Sequence, residues 1–93
     1  MKLYNYWRSS ASWRVRIGLH WKALPFEYVA VNLAGEQNEP AHLARNAIGQ
    51  VPVLELDGGP IRYLGQSLAI LEYLEETHPE PRLLPRAPIL RAR

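Results

Sequence analysis

The order of strand-like and helical segments in residues 1–31 restricts the fold of this chain more than any other feature. Residues 2–7 (KLYNYW) place their leucine on one face and their tyrosines on the other, which predicts a short strand. Residues 9–22 carry apolar side chains at helical spacing, and the β-branched and aromatic residues 26–31 (FEYVAV) favour a second strand. Because the helix fills the crossover that parallel strands require, the pattern predicts a βαβ unit.

The helical segment at residues 9–22 has a wide apolar side. Five residues recur at the spacing of one helical face and two more widen the stripe: Trp13, Ile17, His20, Trp21, Leu24, Val15 and Leu19. We therefore expect the helix to be buried on more than one side. Gly18 lowers helix propensity but allows another element to approach closely, and Pro25 ends the helix.

The second half of the chain predicts a hairpin followed by a helix. After a short helix at residues 40–45, strands at residues 53–56 and about 61–64 flank a DGG turn sequence. Residues 67–77 form a helix whose inward side chains are either Leu68, Leu71 and Leu74 or Ile70 and Leu74. The order β-α-β-α-β-β-α, with a mixed four-stranded sheet, is that of a thioredoxin-like α/β fold.

The chain becomes proline-rich after residue 79 (PEPRLLPRAPILRAR). Four large apolar side chains in this stretch have no predicted core to join: Leu83, Leu84, Ile89 and Leu90. We therefore divide the chain into a folded domain at residues 1–80 and a connector at residues 81–93 that leads toward a further segment.

The charge distribution argues against a nucleic-acid partner. The chain has 11 Lys and Arg against 9 Asp and Glu, a net charge of +2. Three arginines fall in the last eight residues, which hold no acid, so residues 1–85 carry 8 basic and 9 acidic residues and a charge of −1. The basicity belongs to the tail, and we expect no nucleic-acid binding.

The absence of cysteine excludes several kinds of chemistry. Disulfides, thiolate-bound zinc, thiol–disulfide exchange and a cysteine nucleophile are ruled out, so any sulfur chemistry must come from a ligand. The three histidines are too scattered to predict a metal site. No apolar run approaches the ~20 residues of a membrane helix, and the first residues lack the apolar region of a secretory signal. We expect a cytoplasmic protein with no membrane partner.

Ser9 and Ser10 begin the first predicted helix and have two interpretations. Serine is a preferred N-cap, which favours a structural role, and no neighbouring base suggests a hydrolytic triad. A hydroxyl at a helix N-terminus is also suited to donate to an anion, such as a ligand thiolate. Lowering a thiol pKa from ~8.5 by about two units takes roughly 2.7 kcal/mol. One hydrogen bond to a charged acceptor (about 1.5–3 kcal/mol) and the helix terminus (about 0.3–1 kcal/mol) suffice together.

Two further segments also have a structural and a functional interpretation. Val51-Pro52 is a plain trans turn or, if the bond is cis, presents backbone groups of Val51 to a peptide-like ligand. Gln66-Ser67 opens the last predicted helix, where Ser67 is a natural N-cap. That helix N-terminus could equally receive a ligand carboxylate. The residues by themselves leave both alternatives open.

Four motifs resemble the N-terminal domain of zeta-class glutathione transferases, the maleylacetoacetate isomerases: RSSASWRVRI, GEQ at residues 35–37, GQVPVL and QSLAILEYLEE. The resemblance implies a thioredoxin-like fold, glutathione as cofactor and a small electrophilic maleyl compound as substrate. The implied reaction is a glutathione-dependent cis–trans isomerisation, in which the thiolate adds to the double bond, rotation follows and elimination returns glutathione. A helical second domain and a homodimer are implied for the full-length protein. The alternative is a non-catalytic glutathione-binding or protein-interaction module.

The same resemblance implies roles for the residues around the first helix. Ser9 would hydrogen-bond and activate the glutathione thiol, with Ser10 beside it in the same turn. Ala11 stands where the family commonly has cysteine, which removes a reactive side chain from this part of the cofactor site. Arg14 falls at the end of the binding motif and is implied to shape the site.

The remaining cofactor contacts are implied for the other motifs. Val51, preceding a cis Pro52, would pair with the cysteinyl backbone of glutathione. Gln66 and Ser67 would hold the γ-glutamyl carboxylate, and Gln37 would contact the glycyl end. No metal ligand is implied.

Overall fold

The computed structural model describes residues 1–31, 39–40 and 50–93. Within these ranges lie four strands and three fully described helices: β1 (Lys2–Asn5), α1 (Ser10–Trp21), β2 (Glu27–Ala30), β3 (Val53–Glu55), β4 (Tyr63–Gly65), α2 (Ser67–Thr77) and α3 (Pro88–Ala92). The short helix predicted at residues 40–45 lies outside the described residues, except for its first position, and stays a prediction. Within the described ranges, no helix is both long and apolar enough to span a bilayer.

The strands form one mixed sheet in the order β2-β1-β3-β4. The predicted βαβ unit is confirmed, since β1 and β2 are parallel, and β3 runs antiparallel to both β1 and β4. The sheet therefore has the thioredoxin-like arrangement expected from the element order. Strand β4 begins at Tyr63, later than predicted, and Gly59 occupies the preceding turn with a φ of 91°, which favours glycine.

The main core lies between one face of the sheet and helices α1 and α2. Leu3 and Leu54 are cross-strand partners on that face, and they pack with Val15, Leu19, Ile70 and Leu74, all fully buried. Gly18 allows the close approach that its position predicted. A Cβ on Gly18 would lie 2.7 Å from Leu71 Cδ2, so a larger residue would require the Leu71 side chain to shift.

The predicted inward face of α1 is wrong in part. Val15 and Leu19 are buried, but Trp13, Ile17 and Trp21 are 58–59% exposed and form a stripe on the outer side of the helix. One sheet face and one neighbouring helix cannot cover a stripe this wide, and the buried side includes Ser12 and Gly18 instead. In α2 the second alternative is confirmed, because Ile70 and Leu74 are buried and Leu68 is exposed.

A buried ion pair fixes the start of the connector. Lys22 Nζ lies 2.9 Å from Glu75 Oε1, and both side chains are shielded from solvent. The same ammonium donates to the Pro81 carbonyl at 2.8 Å, and the Glu75 carboxylate accepts from the backbone N–H groups of Leu83 at 3.0 Å and Leu84 at 2.8 Å. Buried charges require such partners.

The expectation that the apolar residues of the tail have nothing to pack against is therefore wrong for two of them. Leu83 and Leu84 are half-buried against the domain, and Leu83 lies close to the backbone of Gly18. Ile89 and Leu90 are exposed, as the sequence suggested. The boundary between residues 80 and 81 stays a prediction.

The surroundings of Glu75 lower its pKa. Burial raises the pKa of the Glu75 carboxyl, but the N–H groups of Leu83 and Leu84 and the Lys22 ammonium outweigh burial and lower it from 4.5 to about 2. Between pH 2 and pH 4.5, the Glu75 carboxyl therefore binds a proton more readily in the unfolded chain than in the folded chain.

We predict that Glu75 makes folding stability depend on acid pH. Its contribution is fully present above pH 4.5 and is lost as the pH falls toward 2. Glu75→Gln should therefore be less stable than the parent chain at neutral pH, and the difference should shrink as the pH falls through this window. Urea unfolding of both chains at several pH values measures the difference. A difference that stays constant down to pH 2 would contradict the prediction.

Candidate functional site

Three of the segments singled out from the sequence meet at one end of the sheet. The pairing of Tyr4 with Val53 places the end of β1 beside the start of β3. The pairing of Val53 with Gly65 places the end of β4 next to it. The loop that carries Ser9, the Val51-Pro52 segment and the start of α2 therefore share this end of the sheet.

Ser9 is the N-cap of α1, as the structural interpretation predicted. Its Oγ accepts a hydrogen bond from the Ser12 N–H at 3.1 Å, and its carbonyl accepts from the Trp13 N–H at 3.0 Å. The cap uses Oγ only as an acceptor, so the hydroxyl proton can still be donated to a ligand. The N–H groups of Ser10 and Ala11, in the first turn, have no partner within the helix. Such a helix end suits an anion.

Ser12 supports this turn and was not identified from the sequence. The Ser12 side chain is fully buried. Its Oγ accepts a hydrogen bond from the Tyr6 N–H at 3.3 Å, and its backbone N–H donates to Ser9 Oγ. The Ser9 N–H in turn donates to the Tyr6 carbonyl at 3.0 Å. The sequence alone does not show whether a serine at this position is buried or faces solvent. Its burial becomes evident only from the packing of the helix on the sheet.

The Val51-Pro52 peptide bond is cis. The interpretation of this segment as a plain trans turn is therefore wrong. Pro52 is fully buried at the start of β3, and Val51 is half-buried beside the second, smaller apolar cluster formed by Tyr4, Val31 and Val53. A contact between Val51 and a ligand stays a prediction.

Ser67 lies at the start of α2 but is not its N-cap. The N-cap is Gln66, whose side chain makes no capping bond, so the prediction for Ser67 is wrong. Ser67 is the first helical residue, and its Oγ accepts a hydrogen bond from Arg14 Nη1 at 3.0 Å. The structure thereby brings Arg14 of the RSSASWRVRI motif, 53 residues away in sequence, to the second helix N-terminus. A guanidinium and a helix N-terminus together favour a carboxylate.

Gln66 has an unusual backbone conformation. Its φ of 68° and ψ of 115° lie in a region that side chains other than glycine rarely adopt, at a cost of roughly 1–3 kcal/mol. Residues with such backbone strain cluster at binding sites. Its Nε2 donates to Gln50 Oε1 at 3.2 Å, which links it to the residue before Val51. Gln50 was not singled out from the sequence.

A cavity of about 450 Å³ adjoins the serine pair and is lined by Trp7, Arg8, Ser10 and Trp13. The Arg8 guanidinium lies 4.6 Å from the centroid of the Trp7 ring, a cation–π arrangement. Arg8 was not identified as a site residue from the sequence, although its position directly before Ser9 indicated that it lies near the serine pair. Apolar walls with one cation suit a small organic anion.

The candidate residues that the structure describes are thus brought together. Ser9, Ser10, Ala11 and Arg14 belong to α1 or its cap. The other described candidates lie just before β3 or just after β4, at the same sheet end: Val51, Pro52, Gln66 and Ser67. Gln37 lies outside the described residues, and its role stays a prediction.

Comparison with known proteins identifies the family. A family model described as glutathione S-transferase, N-terminal domain, matches residues 3–82. The chain is 54% identical to a maleylacetoacetate isomerase of Rattus norvegicus over 93 residues, covering 97% of this chain and 42% of the relative. It is 50% identical to a maleylacetoacetate isomerase of Dictyostelium discoideum, covering 97% of this chain and 41% of that protein.

A solved structure is similarly close. The crystal structure of a maleylacetoacetate isomerase from Methylobacterium extorquens AM1, with bound malonate and GSH, matches with a TM-score of 0.93 and 50% identity. The match covers 100% of this chain and 43% of that one. The chain therefore spans less than half the length of the relatives it resembles.

We predict that the capping hydrogen bond of Ser9 stabilises the fold. Ser9→Ala removes the acceptor for the Ser12 N–H and should lower the free energy of unfolding by about 0.5–2 kcal/mol. Ser10→Ala, at the exposed first helical position, should change it by less than about 0.5 kcal/mol. Urea unfolding of both variants measures the difference. Equal effects of the two substitutions would contradict a capping role for Ser9.

Proposed function

The chain belongs to the glutathione S-transferase family, as an N-terminal domain, and we propose that it is the glutathione-binding part of a maleylacetoacetate isomerase-type enzyme. The observation that carries the proposal is the hydrogen bonding of Ser9. Its Oγ accepts from the Ser12 N–H, which leaves the hydroxyl proton available for donation to a ligand. The close match to relatives named maleylacetoacetate isomerase supports the choice of reaction.

The chemistry proposed for Ser9 is stabilisation of a glutathione thiolate. The hydroxyl donates to the sulfur, and its acceptance of the Ser12 N–H polarises the O–H bond and strengthens this donation. The orphan N–H groups of the first turn, in Ser10 and Ala11, add the positive end of the helix dipole. Together these groups favour the ionised thiol without a general base or a metal. Ala11 contributes no thiol of its own.

The proposed carboxylate subsite lies at the N-terminus of α2. Ser67 and Gln66 would receive the γ-glutamyl carboxylate of glutathione, and Arg14, bonded to Ser67 Oγ, places a positive charge beside it. The backbone of Val51, next to Pro52, would pair with the cysteinyl unit between the two ends. Gln37 would contact the glycyl end. Binding three parts of the tripeptide fixes the sulfur opposite Ser9.

The electrophile is proposed to be a small maleyl compound. The cavity beside Ser10 has the Arg8 guanidinium over the Trp7 ring, which suits a carboxylate attached to an apolar carbon skeleton. The relative that binds GSH also carries malonate, a dicarboxylate. Addition of the thiolate converts the cis double bond into a single bond, which rotates before elimination restores the thiolate and releases the trans isomer. Glutathione is unchanged over the cycle.

The exposed stripe of α1 is proposed to contact a second, helical domain. Trp13, Ile17 and Trp21 lie next to each other and line a groove with Arg16 and His20. Relatives are more than twice as long as the matched segment, and the zeta-class resemblance implies that their remainder is helical and completes the electrophile pocket. The homodimer implied by the resemblance and the cytoplasmic location expected from the sequence belong to the same proposal.

We predict that the chain lowers the thiol pKa of bound glutathione through Ser9. The thiol pKa should fall by about two units from its free value of ~8.5, and Ser9→Ala should raise it again by at least about one unit. A pH titration of the ultraviolet absorbance of the thiolate, with protein in excess, measures both values. Thiol ionisation is the appropriate readout because turnover also requires the rest of the electrophile pocket.

Calorimetry with S-methylglutathione provides the control, since this ligand has no thiol to activate. Its affinity should be the same for the parent chain and for Ser9→Ala. Binding of glutathione with an unshifted thiol pKa would point instead to a non-catalytic glutathione-binding module. No binding to the parent chain would point to a protein-interaction module of this fold.

We predict that Arg14 acts on affinity and not on thiol ionisation. Arg14→Gln should weaken glutathione binding by about tenfold, because the charge beside the carboxylate subsite is lost. The thiol pKa of the bound ligand should not change. The control ligand is γ-aminobutyryl-cysteinyl-glycine, which lacks only the γ-glutamyl carboxylate and should bind the parent chain and the variant equally. An equal loss of affinity for both ligands would contradict this assignment.

A further inference from the structure

Arg16, in the middle of α1, reaches back to the loop that precedes the helix. Its Nη2 donates to the Trp7 carbonyl at 3.1 Å, and its Nη1 donates to the Tyr6 carbonyl at 3.4 Å and to Asn5 Oδ1. One guanidinium thus binds oxygen atoms of three consecutive residues. Only the planar fork of arginine presents several donors in such a fixed arrangement.

The oxygens that bind Arg16 are themselves held in place. Asn5 is fully buried, its Nδ2 donates to the Leu3 carbonyl at 3.1 Å, and its own carbonyl accepts from the Val31 N–H at 2.9 Å. On β2, the centre of the Tyr28 ring lies 5.8 Å from the Arg16 guanidinium carbon. Arg16 is therefore anchored to the sheet as well as to its own helix.

The loop that Arg16 holds is the one that sets the position of Ser9. The Tyr6 carbonyl accepts both from Arg16 and from the Ser9 N–H, while the Tyr6 N–H donates to Ser12 Oγ. A shift of the Tyr6 backbone therefore moves Ser9 relative to the first turn of α1. Arg16 connects the sheet to the two hydrogen bonds that align the cap.

We propose that Arg16 is a positioning residue for the thiol site, acting through Tyr6 on the hydroxyl of Ser9. This inference rests on the proposed function of Ser9 and extends it to a residue that does not touch the ligand. Arg16 aligns the Ser9 hydroxyl and the first-turn N–H groups on one point, so that all of them favour the same anion. A lysine retains the charge but cannot bind the three oxygens together.

Two readouts on Arg16→Lys and Arg16→Gln test the proposal. The thiol pKa of bound glutathione should rise by about one unit in both variants, since misalignment weakens the hydrogen bond from Ser9 without removing it. In the unliganded chain, amide hydrogen exchange at Ser12 should become faster by about tenfold, whereas exchange at Leu19 should not change. Arg86→Gln, which removes an exposed arginine of the C-terminal segment that pairs with Glu80, should affect neither readout.

The outcomes separate this inference from the proposed function. If the parent chain does not shift the thiol pKa, the proposed function fails, and exchange at Ser12 still decides whether Arg16 aligns the cap. Unchanged Ser12 exchange in both variants overturns the inference. A thiol pKa in Arg16→Lys that is as low as in the parent chain also overturns it, because it would show that the positive charge at this position matters and the planar guanidinium does not. Faster exchange at both Ser12 and Leu19 also overturns it, because it would indicate general destabilisation.

Discussion

The packing of two helices on one face of the sheet decides where the candidate site lies. Helices α1 and α2 follow β1 and β4, whose ends lie at the same side of the sheet. Both helices then cross the face formed by Leu3 and Leu54 and share one core. Their N-termini are consequently brought to the same end, and two positive dipole ends flank the start of β3. This geometry suits a ligand that carries two separated negative groups.

The local features of the fold could be predicted from the sequence. The βαβ unit, the helix at Ser67–Thr77 and the cap at Ser9 follow from periodicity and from residues with specific turn chemistry. The outer stripe of α1 was misassigned because periodicity identifies apolar positions but not which of them the sheet covers. When a helix has apolar residues on several sides, tertiary packing decides, and here Val15 and Leu19 face the sheet.

The long-range polar contacts could not be predicted. Arg14 meets Ser67, and Lys22 meets Glu75, each across 53 residues of sequence, and no local pattern connects such pairs. Lys22 and Glu75 also resemble ordinary solvent-facing helix residues in the sequence. Their burial is possible because backbone groups of residues 78–84 complete their hydrogen bonds. The connector at residues 81–93 therefore contributes hydrogen bonds that offset the cost of burying this ion pair.

Ala11, in the first turn of α1, has a consequence for the durability of such a protein. A chain without cysteine offers no protein thiol for alkylation by a reactive substrate. On the proposed function, the only thiolate within this domain's part of the pocket belongs to the tripeptide. A substrate that failed to eliminate would depart as a soluble conjugate, and a fresh cofactor molecule would restore the pocket.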